Sequence, residues 1–322
     1  MQASRRRTVA LLVTSLCAVA ARVVAADYPS RTVRIVVAGA PGGGDDFAAR
    51  VVAEHLSAQL GQQFVVENRP GAGGVIGQLA VAEAPPDGYT LLLAGGSMAG
   101  ARFVNAHASY DLLKDFTPIS MIESSPFALV VSPALPIKSL REFIDYARAR
   151  PGKLSYATIG AGQIPFWAML LFNRMAGLNA LEVPYKSGAD AIIDVASARI
   201  DYFFAPLVAA VAVEDKLRIL GVSSASRSEL LPRVPSIAEG GLPGYEMPAW
   251  RSIMGPARLA PDLVNLLHDE IQKALSSVDL RDRYLKVGST PIGSTPEELR
   301  KRYDDWSLTF ARIARNANLR PQ

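Results

Sequence analysis

The stretch VRIVVAGAPGGGDDFAARVVAEHLSAQL, residues 33–60, decides the fold class. Its apolar run at 33–38 predicts a buried strand, and the apolar spacing at 46–60 predicts a helix. The run Pro41-Gly42-Gly43-Gly44 between them predicts a tight turn. A strand, a glycine turn and a helix in this order are typical of α/β proteins.

The same design recurs near residue 160. An apolar strand pattern at 154–158 is followed by the turn Gly160-Ala161-Gly162 and by a helical pattern at 164–176. Two coarse copies of one unit predict two lobes of similar design. The length of 322 residues agrees, because single hydrophobic cores stop growing near about 250–300 residues.

The rest of the chain alternates short apolar runs with helical stretches, as α/β proteins do. Further strands are predicted at 63–67, 89–94, 127–131, 181–184, 202–204 and 217–222, and further helices at 139–150, 190–198, 261–276 and 296–314. The segment just before residue 127 is predicted to be irregular. A proline-rich passage near 232–248 is predicted to carry the chain back to the first lobe.

Residues 1–26 are typical of an export signal. Three adjacent arginines, Arg5 to Arg7, precede an apolar stretch at 8–21, and small residues ahead of Asp27 suit cleavage after Ala26. The apolar stretch is shorter than the about 20 residues of a membrane-spanning helix. The sequence therefore predicts a periplasmic protein, and the arginines leave both the general and the twin-arginine export routes open.

Composition excludes several classes of function. Four of the 34 basic residues lie in the signal, which leaves 30 basic against 30 acidic side chains and no electrostatic footprint for nucleic acid. The one cysteine, Cys17, also lies in the signal. The histidines His55, His107 and His268 lack metal-ligand spacing, so neither a metal nor a cofactor is predicted.

Each glycine turn is a candidate anion site. A turn that opens a helix leaves backbone N–H groups without partners at the positive end of the helix dipole, and glycine lets a ligand approach that backbone closely. Two such turns, one in each lobe, could hold one anionic ligand from both sides. On the residues alone, ordinary turns with glycine for packing remain the alternative.

Two other groups of residues allow both a functional and a structural interpretation. Gly95-Gly96-Ser97-Met98-Ala99 is similar to a nucleophile elbow, and a hydrolase would need His268 as its base. His268 lies in an amphipathic helical pattern, where a solvated histidine is the expected state, so an enzyme is not favoured. Trp250 is either a core residue or a pocket wall, and Arg251 beside it could pair with a carboxylate.

A series of motifs then identifies a family. They follow one another along nearly the whole chain after the signal: Pro41-Gly42-Gly43-Gly44-x-Asp46, Val66-Glu67-Asn68-Arg69-Pro70-Gly71-Ala72-Gly73-Gly74, Pro86-Asp87-Gly88-Tyr89-Thr90-Leu91-Leu92, Val183-Pro184-Tyr185-Lys186 and Gly241-Leu242-Pro243-Gly244-Tyr245-Glu246. This series resembles the Bug family, the extracytoplasmic solute receptors of tripartite tricarboxylate-type transporters.

The resemblance implies a two-lobed periplasmic binding protein fold of the Venus-flytrap, type II-like kind. Residues 27–127 and 247–322 would form one lobe and 128–246 the other, with a small carboxylate-bearing solute between them. The implied protein is a monomer that closes on its solute and delivers it to membrane permease subunits, without enzymatic activity. A sensor subunit that presents its ligand to a membrane signalling kinase is the alternative, and it would use the same site.

The resemblance places glycines of both turns, and the Asp that follows the first turn, at the ligand. Departures from the family pattern at Asp45, at Gln163-Ile164 and at Ala205 leave fewer polar partners in the second lobe. They favour a less polar or aromatic monocarboxylate, or a neutral amide-like ligand, over citrate, because Asp45 repels a dianion unless it is paired. The predicted ligand-binding residues are Gly42, Gly43, Gly44, Asp45, Asp46, Gly160, Ala161, Gly162, Gln163, Ile164, Ala205 and Trp250.

Overall fold

The computed structural model describes residues 28–321, so the predicted export signal lies outside the described residues. The first half contains, in chain order, β1 (Val33–Val37), α1 (Gly44–Leu60), β2 (Phe64–Asn68), a 3-10 turn (Ala72–Gly74), α2 (Val75–Ala82), β3 (Thr90–Gly95), a 3-10 helix (Gly96–Phe103), α3 (Leu112–Asp115), β4 (Phe116–Ser125), β5 (Phe127–Val131) and α4 (Leu140–Arg148).

The second half continues with β6 (Ser155–Ile159), α5 (Ile164–Ala176), β7 (Leu181–Tyr185), α6 (Gly188–Ala196), β8 (Tyr202–Pro206), α7 (Leu207–Val211), β9 (Arg218–Val222), β10 (Ala249–Pro256), α8 (Pro261–Leu275), α9 (Val278–Lys286), β11 (Thr290–Pro291) and α10 (Pro296–Asn316). The two strand, turn and helix units predicted from the sequence are therefore confirmed, as β1 to α1 and as β6 to α5.

These strands form two sheets of the same design. The first has the order β11-β4-β10-β3-β1-β2, and the second has the order β7-β6-β8-β5-β9. In the first sheet β1 is parallel to β2 and β3, while β10 runs antiparallel to β3 and β4. In the second sheet β6 and β5 take the corresponding places. Two lobes of similar design are thus confirmed.

The chain crosses between the sheets twice. It leaves the first sheet at Ser125, enters the second at Phe127, and returns between Val222 and Ala249. Each lobe thus receives one antiparallel strand, β5 or β10, at the point where the chain arrives from the other lobe. The lobe boundaries placed at 127 and 246 remain a prediction.

Strand β4 corrects the sequence prediction of an irregular segment before residue 127. Its sequence, FTPISMIESS, places polar side chains where a buried strand normally carries apolar ones. Ser120 and Glu123 are fully buried, but each has a partner: Gln272 donates to the Ser120 hydroxyl, and Arg251 pairs with Glu123. Because the partners of these buried polar residues lie far away in the sequence, the strand has the local composition that is typical of a loop.

One hydrophobic cluster spans both lobes. It includes Leu92 and Trp250 of the first sheet together with Leu129 and Phe204 of the second. Each lobe also has one smaller hydrophobic cluster of its own, in which its outer helices pack on its sheet. The lobes therefore share part of their core beside the cleft that separates them.

Within 28–321, no helix is both long and apolar enough to cross a membrane. The same part of the chain holds no group of three or more His, Cys, Asp or Glu side chains placed to bind a metal ion.

Candidate ligand-binding cleft

A cavity of about 490 Å³ lies between the two lobes, and we call it the main cavity. The first lobe lines it with the residues that follow β1, β2 and β3 and with part of β10. The second lobe lines it with the end of β6 and the start of α5. The residues used below are Gly74, Gln78, Gly95, Trp250, Gln163 and Ile164.

Three helices begin at the main cavity without a side-chain cap. Their N-cap residues are Gly74 for α2, Gly95 for the 3-10 helix and Gln163 for α5, and none of the three makes a side-chain capping hydrogen bond. All three residues line the cavity. The first N–H groups of a helix have no partner within it, so these starts direct N–H groups and positive dipole ends at the cavity from both lobes. Two positions supply no free donor, because the Val75 N–H already donates to the Ala72 carbonyl and Pro165 has no N–H.

Helices that begin elsewhere are of both kinds, capped and uncapped. Ser139 caps α4, Ser187 caps α6 and Thr295 caps α10, each with a side-chain oxygen that accepts from the third helical N–H. None of these cap residues lines the main cavity. Three further helices, α3 at Asp111, α8 at Ala260 and α9 at Ser277, begin away from the main cavity without a side-chain cap. What distinguishes the main cavity is therefore that three uncapped helix starts meet there.

Two buried polar atoms in the cavity wall have no partner within residues 28–321. They are the indole Nε1 of Trp250, a side chain that is 1% exposed, and Oε1 of Gln78, which is 7% exposed. A buried polar atom without a partner costs about 1–3 kcal/mol. An acceptor on a bound molecule would satisfy Trp250, and a donor would satisfy Gln78.

Trp250 is both a core residue and part of the cavity wall, so both of the alternatives that the sequence left open for it apply. Its ring packs edge-on against Tyr303 and Trp306, with centroids 4.8 and 5.2 Å away. Gly96 leaves room for this ring, because a Cβ at residue 96 would lie 2.9 Å from Nε1.

Arg251 projects from β10 into a cluster of acidic groups. Its Nε donates to Asp45 Oδ1 at 2.6 Å, and its Nη1 pairs with Glu123 and lies 3.4 Å from the Ser125 hydroxyl. Burial opposes the charge of the guanidinium, but the carboxylates of Glu123 and Asp45 raise the pKa of Arg251 above its ordinary value. Arg251 is thus already paired, and the carboxylate partner expected from a ligand is supplied by the protein.

A second cavity of about 520 Å³, the side cavity, lies on the other side of Arg251. Its walls come from the turn at Gly42 to Gly44, from the start of α7 and from the loop after α9. Both cavities are lined by Phe127, Ala249 and Arg251, so these three residues form the partition between them. The helices that begin at the side cavity, α1 at Gly43 and α7 at Pro206, also lack side-chain caps.

The structure divides the predicted site residues into three groups. Asp45, Gln163, Ile164 and Trp250 line the main cavity, while the glycines 42–44 line the side cavity. A third group lines neither cavity and consists of Asp46, Gly160, Ala161, Gly162 and Ala205.

Asp46 holds the first glycine turn in place. Its carboxylate accepts from the Gly42 N–H at 2.9 Å and from Arg50 Nε at 2.9 Å. The hydrogen bond from Arg50 is the main reason that the pKa of Asp46 falls to about 2, and the Gly42 N–H adds to it, although burial works the other way. Gly42 itself needs glycine, because its φ is +80°.

The second glycine turn packs against the first lobe through Gly162, whereas Ala205 belongs to the core of the second lobe. Trp167 Nε1 donates to the Gly162 carbonyl at 3.0 Å, and Gly162 packs so closely on Val104 that a Cβ there would lie 2.6 Å from it. Ala205 faces the cluster under α6 and α7, because side chains alternate along β8. Its neighbour Pro206 reaches the side cavity instead.

Sequence reasoning missed Gln78, Gly74 and Gly95 as cavity residues. A signal was available for the two glycines, since each stands directly before a helical pattern, as in the turns that were chosen. Gln78 also carried a signal, because it is the one polar residue in the otherwise apolar helix VIGQLAVA. Ser97 does line the main cavity, but His268 lines neither cavity and its Nδ1 lies 3.0 Å from Oδ1 of the adjacent Asp269.

Comparison with known proteins identifies the family. The model for the tripartite tricarboxylate transporter family receptor matches residues 48–319. The chain belongs to this family. It is also 35% identical to the protein BugT of Bordetella pertussis over 301 residues, which cover 92% of each chain. The resemblance to Bug receptors is therefore confirmed, and members of this family are periplasmic binding proteins.

Solved structures of two proteins from Rhodopseudomonas palustris share the fold. Rpa4515, solved with adipate, is 33% identical with a TM-score of 0.76, and the match covers 92% of this chain and 100% of that one. MatC, solved with malate, is 29% identical with a TM-score of 0.72, and the match covers 89% and 100%. The two-lobed periplasmic binding protein fold is confirmed, and these two relatives of the receptor bind dicarboxylates.

Proposed function

We propose that this receptor captures a small carboxylate-bearing solute in the main cavity and delivers it to the membrane permease subunits of a tripartite transporter. The carrying observation is the set of three uncapped helix starts, from both lobes, that face one cavity. Unpaired N–H groups at positive dipole ends bind carboxylates well. The unpartnered Trp250 Nε1 adds a further donor in the same wall.

The apolar part of the wall favours a solute with a hydrocarbon portion. Leu93, Met98, Phe127, Ile159 and Ile164 line the main cavity beside the polar groups. Each buried CH₂ adds about 0.8 kcal/mol, so a less polar carboxylate gains more here than citrate does. Asp45 shares Arg251 with Glu123, which leaves its charge only partly compensated and disfavours a second carboxylate at that end.

Lobe closure is the step that would couple binding to delivery. Because the cavity walls belong to two lobes, a solute contacts both only when the lobes are together, so binding favours the closed state. The chain would present that state to the permease from the periplasm, after removal of residues 1–26.

A thermal unfolding screen of the chain from Asp27 tests this function. The panel contains hexanoate, benzoate, adipate, malate and citrate, with hexanamide and benzamide as uncharged controls. A ligand at 100 times its Kd adds about 2.7 kcal/mol of stability, which raises Tm measurably. The proposal expects at least one carboxylate to raise Tm and the amides to have little effect. A panel in which no carboxylate raises Tm would contradict it.

A further inference from the structure

A buried ion pair and hydrogen bonds hold the partition between the two cavities in place. Arg251 is 17% exposed, and Glu123, one of its two carboxylate partners, is 1% exposed. The Ser125 hydroxyl donates to the other oxygen of Glu123 at 2.5 Å and lies 2.6 Å from the Ser289 hydroxyl. A guanidinium held in this way differs from a surface arginine that moves freely between rotamers.

The neighbouring backbone is also shaped around Arg251. A Cβ at residue 44 would lie 2.8 Å from Arg251 Nη2, so Gly44 gives the guanidinium its space. Asp45 holds Nε from the same turn, and β4 holds Nη1 from the opposite side. The side chain therefore spans the gap between two elements of the first lobe, with a cavity on each side.

We infer that Arg251 is a specificity-determining residue that limits the length of the solute. If the carboxylate binds at the uncapped helix starts, as proposed above, the hydrocarbon portion extends through the main cavity until it meets the partition. The side cavity beyond is walled largely by apolar residues, among them Phe47, Leu207 and Val208, and would accept a longer chain if the partition were absent. The intact receptor therefore selects short carboxylates.

The test measures affinity across straight-chain monocarboxylates from butanoate to decanoate by calorimetry. For the wild-type chain, affinity rises about fourfold for each CH₂, which corresponds to ~0.8 kcal/mol, and stops rising at one chain length. The variant Arg251→Ala with Glu123→Gln opens the partition without leaving a buried carboxylate unpaired. We expect its affinity to keep rising over several further CH₂ groups.

A matched variant separates volume from charge. Arg251→Met with Glu123→Gln removes the same ion pair but keeps a long side chain in the partition, so it keeps the wild-type length limit. The same limit in both double variants would overturn the inference. A wild-type chain that binds no carboxylate of any length would instead contradict the proposed function, and this inference would fall with it.

A third variant avoids the ion pair altogether and serves where the double variants fail to fold. Val208→Phe fills part of the side cavity from a half-exposed position on α7. If the wild-type solute stays within the main cavity, this variant binds every carboxylate in the series with unchanged affinity. A loss confined to the longer carboxylates would show that the side cavity is already in use and would overturn the inference.

Discussion

The ring of Trp167 lies 4.6 Å from the ring of Phe310 and stacks on it at an interplanar angle of 27°. Trp167 belongs to α5 of the second lobe, and Phe310 belongs to α10, which packs on the first. Both side chains are fully buried. This contact joins the lobes at one flank of the cleft, so closure has to take place around it.

The shared core predicts that the two lobes unfold together. Wild-type chain is expected to show one transition in urea. Trp167→Ala should cost about 3–5 kcal/mol and broaden or split that transition, because it removes a contact between lobes. Phe143→Ala is the control, since Phe143 packs on Phe172 and Tyr202 within the second lobe. Two separate transitions in the wild-type chain would contradict a coupled core.

The indole N–H of Trp250 should contribute directly to solute affinity. Trp250→Phe keeps a ring but removes the donor, so affinity for a carboxylate is expected to fall by about 1.5–3 kcal/mol in a calorimetric titration. Trp306→Phe makes the same chemical change in the adjacent ring, which does not line the main cavity. Equal losses in both variants would mean that packing, and not the N–H group, accounts for the effect.

Two N-cap glycines allow the carboxylate position to be tested with one methyl group. Gly95 and Gly43 both have extended backbone, and a Cβ would have its nearest neighbour at 3.7 Å and 3.6 Å respectively. Gly95→Ala places its methyl group in the main cavity and should weaken binding by about 1–3 kcal/mol. Gly43→Ala should leave it unchanged. The reverse result would return the carboxylate to the first glycine turn, where the sequence motif predicts it.

The stability of the first glycine turn should depend on pH through Asp46. Its pKa of about 2 lies below the ordinary 3.8, so the ionised carboxylate stabilises the fold above pH 3.8, and this contribution is lost as the pH falls toward 2. The difference in free energy of unfolding between wild-type chain and Asp46→Asn should therefore be constant near neutral pH and shrink below about pH 4.

The control for this pH dependence is Asp304→Asn. Asp304 is exposed and forms no ion pair within the described residues. Urea titrations of all three chains from about pH 7 to about pH 2.5 give the comparison. A difference for Asp46→Asn that does not change with pH would show that Arg50 and Gly42 hold the asparagine as well as the carboxylate.

Local patterns predicted the fold well. The apolar run before Gly42, the turn and the helix spacing after it are each set by residues close in sequence. The N-cap of α4 at Ser139 was also predictable, because a hydroxyl ahead of an amphipathic pattern is a helix start. Such features depend on neighbours that a sequence shows directly.

The candidate site depends on contacts that the sequence does not show. Arg251 and Asp45 are 206 positions apart, and Arg251 and Glu123 are 128 apart. Only the return of β10 to the first sheet brings them together and converts the expected ligand arginine into a partition. The same return seats Trp250 against Gly96, and its indole N–H has no partner among residues 28–321.

The central claim is that the main cavity binds a carboxylate through its negative charge. Calorimetric titration of the wild-type chain with a carboxylate that raises its Tm, and with the corresponding uncharged primary amide, tests this most directly. The account predicts one saturable site per chain and an affinity at least about tenfold higher for the carboxylate, since hydrogen bonds to a charged group are worth about 1.5–3 kcal/mol. Equal affinity for the two compounds, or no saturable binding of any carboxylate, would contradict it.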